Sequence, residues 1–193
     1  ALAAGPTGRV FAVEPNRYML PILEHNTRLN PMAAPITILP YAATMEKAAL
    51  TLDYGDPGFC DGGDLSRPGK FRGGHLYRLD VEGRNITREL ENLAPEWLSR
   101  VKFVKTGAAG NDETVIGTLR KLIDAARPYL LCEIFRHSTE AQRRSFYRHL
   151  SADLGYRIYR ADPYVELRGK ELSADDMMRA RHFDIFCVPA ENA

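Results

Sequence analysis

Short apolar runs alternate with segments of helical periodicity along most of the chain. The run from Arg9 to Glu14 is rich in β-branched and aromatic residues and ends at Pro15, which predicts a buried strand. Between about Asn16 and Asn30 the apolar positions recur at helical spacing and predict a helix, with Pro21 in its first turn. Three further runs predict strands at Ile36 to Leu39, Ala48 to Asp53 and His75 to Asp80.

The same alternation returns in the second half of the chain. Val101 to Thr106 predicts a strand, and the apolar spacing from Asp112 to Ala126 predicts a helix. The run from Tyr129 to Phe135 is apolar on both faces, which is typical of a parallel strand covered by helices on both sides. The later predicted elements are a helix capped by Thr139 and Gln142 and stopped by Gly155, a strand from Tyr156 to Arg160, a short helix from Ser173 to Arg179 and a last strand from His182 to Val188.

This order of elements predicts one α/β domain over residues 1–193, with a mainly parallel sheet and helices on both faces. A ligand crevice is then expected at the carboxyl ends of the strands. Residues 54–74 are rich in glycine, proline and aspartate and carry no core pattern. A connection of this length is usually a binding loop or a mobile segment, so we expect either a loop at the edge of a cofactor site or plain disorder.

Composition and charge narrow the classes of function. The 26 basic and 25 acidic side chains nearly cancel, so no broad field attracts nucleic acid or an anionic membrane. No apolar run approaches the ~20 residues that span a bilayer, and the start of the chain lacks a signal-peptide pattern. Two of the three cysteines lie in apolar runs, which fits free thiols in a reducing cytoplasm. We therefore expect a cytoplasmic protein without a membrane span.

Glu14 ends the first predicted strand at the mouth of the expected crevice. A carboxylate in that place can accept hydrogen bonds from both ribose hydroxyls of a nucleoside. The position also suits a solvated strand end, and its spacing alone favours neither interpretation.

The residues around Glu14 are similar to a known family. Val13 to Asn16, together with the upstream Gly8 to Ala12, resembles the second conserved segment of the FkbM methyltransferases. Similar segments follow in the family's order at Leu23 to Asn26 with Asn30, Tyr41 to Ala43, Val101 to Asp112, Arg127 with Pro128, Glu133 and, more loosely, Asp184 to Pro189. Their order is more specific than any single segment.

The resemblance implies a Rossmann-like class I methyltransferase fold with an antiparallel last strand, and S-adenosylmethionine as the cofactor. It implies that the cofactor-binding residues are Glu14, Asn16, Tyr41, Ala42 and Ala43. Glu14 is then the acceptor for the ribose, and Tyr41 to Ala43 form an alanine-bearing turn beside the adenine.

The second half of the chain carries the candidate catalytic residues. The resemblance covers Lys105, Glu133 and Asp112, so we expect catalytic roles for Lys105 and Glu133 and a substrate-binding role for Asp112. His137 is a further catalytic candidate because it lies just beyond the end of the predicted strand. An imidazole suits a general base near neutral pH. Each residue also has a structural alternative: an ion pair for Lys105, a helix cap for Asp112, pairing with Arg136 or Arg127 for Glu133, and a packing role at the helix start for His137. The basic run of Arg136, Arg143, Arg144 and Arg148 is expected on the solvated face of a helix.

Two departures from the family pattern bear on activity. Methyltransferases of this class begin with a strand and a glycine-rich turn, and here nothing precedes Ala1, so the first strand is expected to be missing. The family's Asp-x-Glu-Gly loop is replaced by Gly107 to Gly110, which carries neither acid. An upstream segment, a second copy of the chain or a different topology would then complete the sheet.

Three functions therefore stay open. The first is an O-methyltransferase that acts on a hydroxyl of a sugar, glycolipid or secondary metabolite. The second is an inactive methyltransferase-like domain that binds a ligand or partner, which the missing loop acids favour. The third takes Glu14 as the ribose acceptor of a nicotinamide cofactor, although the glycine fingerprint of that class is also absent. The scattered histidines and unpaired cysteines predict no metal site.

Overall fold

The computed structural model describes residues 1–54, 77–162 and 168–192. Within these ranges the chain forms five α-helices and nine strands in mixed sheets, so the α/β class predicted from the sequence is confirmed. The chain divides into two compact units, Ala1–Arg84 and Asn85–Ala193. All but the first residue of the loop expected at 54–74 lies outside the described residues. The interpretation of residues 1–193 as a single domain stays a prediction.

The first unit contains a parallel pair of strands and a small mixed sheet. Its elements are β1 (Val10–Val13), α1 (Leu20–Thr27), β2 (Ile36–Leu39), β3 (Ala42–Ala43), β4 (Ala48–Tyr54) and β5 (Tyr77–Arg84). β1 and β2 pair in parallel, with Val13 opposite Leu39. β5 pairs in parallel with β3 and antiparallel with β4. The residues that follow β1 and β2 therefore leave the same end of a two-stranded sheet.

Helix α1 is shorter than predicted because turns occupy both ends of the periodic segment. The side chain of Asn16 accepts a hydrogen bond from the backbone of Tyr18 (2.9 Å), and the side chain of Asn30 accepts one from Met32 (3.1 Å). Asparagine in such turns competes with helical backbone bonding. Pro21 lies in the first turn of the helix, as predicted.

The second unit is built around one four-stranded sheet. Its elements are α2 (Ile86–Leu93), β6 (Phe103–Lys105), α3 (Asp112–Thr118), α4 (Arg120–Ala126), β7 (Tyr129–Ile134), α5 (Glu140–Arg148), β8 (Tyr156–Ala161) and β9 (Phe183–Pro189). The strand order is β6-β7-β9-β8, with β6 parallel to β7 and β9 antiparallel to both β7 and β8. Three strands of this sheet therefore run in one direction, and only the last strand of the chain is reversed.

The two faces of this sheet differ in burial. Leu130, Cys132, Ile185 and Cys187 point to one face and are fully buried. Phe103 and Tyr129 lie on the other face and are 49% and 40% exposed. Leu131 and Tyr159 also lie on that second face but are only 9% and 5% exposed, so burial there is uneven. The expectation that helices cover β7 on both sides stays a prediction.

The helix predicted from Asp112 to Ala126 is interrupted at Leu119, between α3 and α4. The Thr118 hydroxyl donates to the carbonyl of Val115 (2.7 Å), while the Thr118 carbonyl accepts from the hydroxyl of Thr87 (2.7 Å). Thr87 lies on α2, so a hydrogen bond from another helix occupies the carbonyl at the end of α3. Helix α2 itself was not predicted from the sequence, although Asn85 caps it through the backbone of Arg88.

Helix α5 begins at the predicted capping box. The Thr139 hydroxyl accepts from the backbone of Gln142, and the side chain of Gln142 accepts from the backbone of Thr139. The segment continues beyond α5 as a π-helical turn, His149–Asp153, and Gly155 follows with φ of +69°, as the sequence predicts.

Replacement of Thr139 by alanine removes one half of this box, and we expect it to lower the free energy of unfolding by about 1 kcal/mol. Urea denaturation of the full chain measures the loss. Thr139→Ser keeps the accepting oxygen and serves as the control. Equal stability of the alanine variant and the wild type would contradict a stabilising role for the cap.

Candidate functional site

In the first unit, the predicted cofactor residues gather at one end of the β1–β2 pair. Glu14 directly follows β1, and Tyr41 follows β2 after one proline. The backbone N–H of Glu14 donates to the carbonyl of Leu39 (3.1 Å), and so does that of Tyr41 (3.0 Å). One carbonyl at the end of β2 therefore anchors both segments.

The carboxylate of Glu14 is half-buried at this strand end. Its Oε1 accepts a hydrogen bond from the backbone N–H of Asn16 at 2.8 Å. Burial raises the pKa of Glu14, and the Asn16 hydrogen bond only partly opposes that rise. The Glu14 carboxylate is therefore partly shielded from solvent, unlike the solvated strand end that was the alternative interpretation of the sequence. A half-buried acceptor of this kind gains from any donor that a ligand brings to it.

The other predicted cofactor residues have mainly structural contacts. Asn16 is 2% exposed, and its side-chain oxygen is used by the backbone of Tyr18. Tyr41 is 4% exposed, and the guanidinium of Arg84 lies 5.4 Å from the centre of its ring. Ala42 and Ala43 form strand β3 rather than the turn expected from the resemblance, because they pair with Gly83 and Arg84 of β5.

In the second unit, Lys105 ends strand β6 and folds back over the loop that follows. A methyl group built on Gly107 would lie 2.5 Å from the Lys105 ammonium and 3.9 Å from a carboxylate oxygen of Glu133. Because Gly107 has no side chain, the side chain of Lys105 can occupy the space beside Glu133. Two residues later, Ala109 adopts φ of +48°, in the left-handed region that favours glycine.

Asp112 connects this loop to strand β7. It is 2% exposed, and its two carboxylate oxygens accept from the backbone N–H groups of Ala108 (3.2 Å) and Glu133 (3.4 Å). Asn111 occupies the cap position of α3, and Asp112 is the first residue of the helix. Asp112 thus bonds outside its own helix instead of capping it.

Glu133 lies at the centre of a group of charged side chains. Its side chain is 19% exposed, and its Oε1 lies 3.4 Å from Nδ1 of His182. Burial is the main reason that the pKa of Glu133 is raised, and the negative charges of Asp112 and Asp184 raise it further. His182 and Lys105 act in the opposite direction. Pairing with Arg136 or Arg127, the structural alternative for Glu133, is not what the structure shows: Glu133 pairs with His182, and Arg127 pairs with Glu191 (2.6 Å).

Two histidines flank the ring of Phe135, just beyond the end of β7. The His137 ring meets Phe135 edge-on with centroids 5.4 Å apart, and the His182 ring does so at 6.5 Å. His137 is half-buried, whereas the side chain of His182 is 51% exposed. The structure therefore brings Lys105, Asp112 and Glu133 together and adds His182, while His137 contacts the ring of Phe135.

The side chain of Arg143 holds the two histidine-bearing segments. It is 7% exposed, so the expectation of a solvated position is wrong for this arginine. Its guanidinium donates to the backbone carbonyls of five residues, at distances from 2.6 to 3.3 Å: Phe135, Ser138, Met177, Ala180 and Arg181. Two of these carbonyls flank the segment of His137, and that of Arg181 directly precedes His182. One cation therefore connects both segments, and its own burial lowers its pKa.

Sequence reasoning missed Arg143 and His182 for different reasons. Arg143 lies in a basic run, and only its burial separates it from the exposed Arg144. His182 directly precedes the last strand, and its proximity to Glu133 follows from the antiparallel register that pairs Glu133 with Asp184. The single signal available was a histidine at the start of the predicted last strand.

Comparisons with known proteins add no family. No family model matches the chain, and neither a curated protein nor a solved structure does. Among the described residues, no group of three or more histidine, cysteine, aspartate or glutamate side chains has a geometry that could hold a metal ion. Within the same ranges, no helix has the length and apolar character needed to cross a membrane.

Arg143→Met removes the buried cation while keeping an unbranched apolar side chain. Five carbonyls lose a donor, so we expect the free energy of unfolding to fall by about 3 kcal/mol. Urea denaturation measures the change. Arg144→Met is the matched control, because Arg144 is exposed and pairs only with Glu140 and Asp175 on the surface. Similar losses in both variants would show that the buried carbonyl contacts are not what stabilises this region.

Glu133→Gln removes a carboxylate whose charged form is disfavoured by burial. Because folding raises the pKa of Glu133 above its ordinary value of 4.5, the wild type loses stability as pH rises from that value through the raised pKa. The glutamine variant does not lose this stability, because its side chain does not ionise. We therefore expect its stability relative to the wild type to be greater at pH 8 than at pH 4, measured by urea denaturation. Glu96→Gln, at an exposed position, should show no such difference.

Proposed function

We propose that the chain is an S-adenosylmethionine-dependent O-methyltransferase domain that acts on a hydroxyl of a small-molecule or glycan acceptor. The observation that carries the proposal is the reversed strand β9, which lies between β7 and β8 in a sheet whose other strands share one direction. An antiparallel last strand is what the resemblance to the FkbM family implies. It also favours a methyltransferase over a nicotinamide-dependent dehydrogenase.

In each of the two units, charged groups lie at the carboxyl ends of parallel strands. Glu14 follows the carboxyl end of β1, while Lys105 and Glu133 lie at the carboxyl ends of β6 and β7. Ligands of such sheets bind beyond the carboxyl ends of the strands. The acidic, half-buried site of Glu14 fits a ribose, because its burial strengthens hydrogen bonds with hydroxyl donors.

S-Adenosylmethionine supplies an electrophilic methyl group on a sulfonium when it is bound. The chain then has to orient an acceptor oxygen and receive its proton. Lys105 can donate to the acceptor, while Glu133 and His137 are positioned at the strand end where proton acceptors are needed. Asp112 is assigned to the acceptor site by the resemblance, but its carboxylate is committed to the Ala108 and Glu133 backbones and so acts by holding the loop.

An inactive, ligand-binding domain is the second candidate, and the loop after β6 favours it. Residues 107–110 carry no acid, and the space beside Gly107 is taken by the Lys105 side chain. Such a domain would bind the cofactor without transferring its methyl group. A nicotinamide-binding protein ranks last, since the reversed β9 does not favour it.

Calorimetry of S-adenosylhomocysteine binding to the full chain tests the proposal, with NADH as the competing ligand. Glu14→Ala is expected to weaken the binding by roughly 1.5–3 kcal/mol, since one charge-assisted acceptor is lost. Glu24→Ala, which removes an exposed carboxylate from α1, is the control. A folded Glu14 variant with unchanged affinity would contradict the ribose assignment.

The same experiment separates the three candidates. Selective binding of S-adenosylhomocysteine with methyl transfer supports the enzyme, and selective binding without transfer supports the inactive domain. Tighter binding of NADH would overturn the proposal.

A further inference from the structure

His182 and Glu133 form an imidazole–carboxylate pair at the end of the two central strands of the four-stranded sheet, where β7 ends and β9 begins. Nδ1 of His182 lies 3.4 Å from Oε1 of Glu133. The glutamate side chain is 19% exposed, whereas that of the histidine is 51% exposed. One partner is therefore shielded by the protein, and the other is open to a molecule that approaches from solvent.

We propose that His182 is the proton acceptor of this site and that Glu133 holds its imidazole with the proton on Nδ1, so that Nε2 is presented to a hydroxyl group. The proposal deepens the proposed methyltransferase function by assigning its general base. It replaces neither Lys105 nor the ribose site at Glu14.

The chemistry follows from the two ring nitrogens. A carboxylate beside Nδ1 attracts the N–H to that side, which leaves the lone pair on Nε2. As the acceptor oxygen forms its bond to the methyl carbon, the electron pair of the breaking C–S bond stays on sulfur, and the hydroxyl proton passes to Nε2. The products are a methyl ether, a neutral thioether and an imidazolium whose new charge Glu133 stabilises. A distance of 3.4 Å is in keeping with a pair that tightens when a ligand binds.

The surroundings of Glu133 suit this role. The carboxylates of Asp112 and Asp184 and the ammonium of Lys105 also act on Glu133, from α3, β9 and β6 respectively. Asp112 is already committed to two backbone N–H groups. Glu133 is therefore the carboxylate of this group that contacts the His182 imidazole, and the others act on Glu133.

The position of His182 is held by the backbone rather than by its own side chain. Arg143 donates to the carbonyls of Ala180 (2.7 Å) and Arg181 (2.6 Å), immediately before His182. Strand β9 begins at Phe183, which pairs with Ile134 of β7. His182 is thus fixed on both sides in the chain, while its ring keeps one open face.

His137 lacks such a partner among the described residues. Its ring contact is with the edge of Phe135, and no carboxylate within those ranges lies within 4.0 Å of its nitrogens. A carboxylate beside one ring nitrogen sets the tautomer of an imidazole, and His137 has no such carboxylate among the described residues. His182 is therefore the better proton acceptor of the two histidines that flank Phe135.

The first test records long-range ¹H–¹⁵N spectra of the full chain at a pH where the imidazoles are neutral. We expect His182 to populate mainly the Nδ1–H tautomer and to lose that preference in Glu133→Ala. His149 is an internal reference, because its Nδ1 is hydrogen-bonded to Asp153 at 3.3 Å. His25, on the surface of α1, should show the Nε2–H form that free imidazole prefers. A His182 tautomer that matches His25 in the wild type would overturn the proposal.

The second test measures whether Nε2 of His182 is available. Diethyl pyrocarbonate acylates neutral imidazole nitrogens, and mass spectrometry resolves the rate for each histidine. We expect His182 to react several-fold faster than His25 and to slow to the His25 rate in Glu133→Ala. His149 also has a carboxylate partner, Asp153, but it should stay unreactive because its Nε2 is buried. No difference between the wild type and the Glu133 variant would contradict the pairing.

Asp184→Asn controls for charge alone. Asp184 acts on Glu133 from the neighbouring strand without contacting His182 through an ion pair. The variant should keep the His182 tautomer and its rate of acylation. If it abolishes both as Glu133→Ala does, the local field rather than the Glu133 contact sets the tautomer, and the proposal fails.

Binding of S-adenosylhomocysteine to the same preparation separates this proposal from the proposed function. If S-adenosylhomocysteine binds but His182 does not populate the Nδ1–H tautomer, the role of His182 is overturned and the methyltransferase proposal stands. If the tautomer and the fast acylation are observed but S-adenosylhomocysteine does not bind, the methyltransferase proposal is overturned. The imidazole–carboxylate pair then remains as a proton-accepting site.

Discussion

The buried guanidinium of Arg143 is the interaction on which the candidate site depends. A charged group is costly to bury, and this one is compensated by five backbone carbonyls rather than by a carboxylate. The planar fork of arginine can bond several acceptors at once, which a lysine ammonium cannot do with the same geometry. Because the carbonyls belong to the segments after β7 and before β9, the cation joins two loops that the sheet alone would leave independent. The spacing of His137, Phe135 and His182 follows from that connection.

The charges around Glu133 form a second constraint on the site. Burial and two neighbouring carboxylates disfavour its ionised form, while His182 and Lys105 favour it. Such opposed effects are common at functional sites, because a group whose charge is poorly stabilised responds to small changes around it. The loop at Gly107 matters here for steric reasons. A side chain in that position would meet the Lys105 ammonium and move a positive charge relative to Glu133.

The structure shows where the residues singled out by the resemblance lie. Glu14 is half-buried at the end of β1, and Lys105, Asp112 and Glu133 lie together in the second unit. Ala42 and Ala43 pair as a strand instead of forming a turn, and Asp112 is occupied by backbone groups. The contacts of these residues therefore depend on the packing of each unit, which the order of segments along the sequence does not contain.

The sequence by itself determined the elements whose formation is local. The apolar runs of β1, β2, β7 and β9, the capping box of α5 and the left-handed glycine at 155 follow from neighbouring residues, and each was predicted close to its observed bounds. The tertiary structure alone decided which groups meet. The break at Leu119 depends on the contact of Thr87 with Thr118, and the burial of Arg143 depends on carbonyls as many as 38 residues away. The pair of Glu133 and His182 depends on the register of two distant strands, which a one-dimensional pattern of apolar and polar residues does not contain.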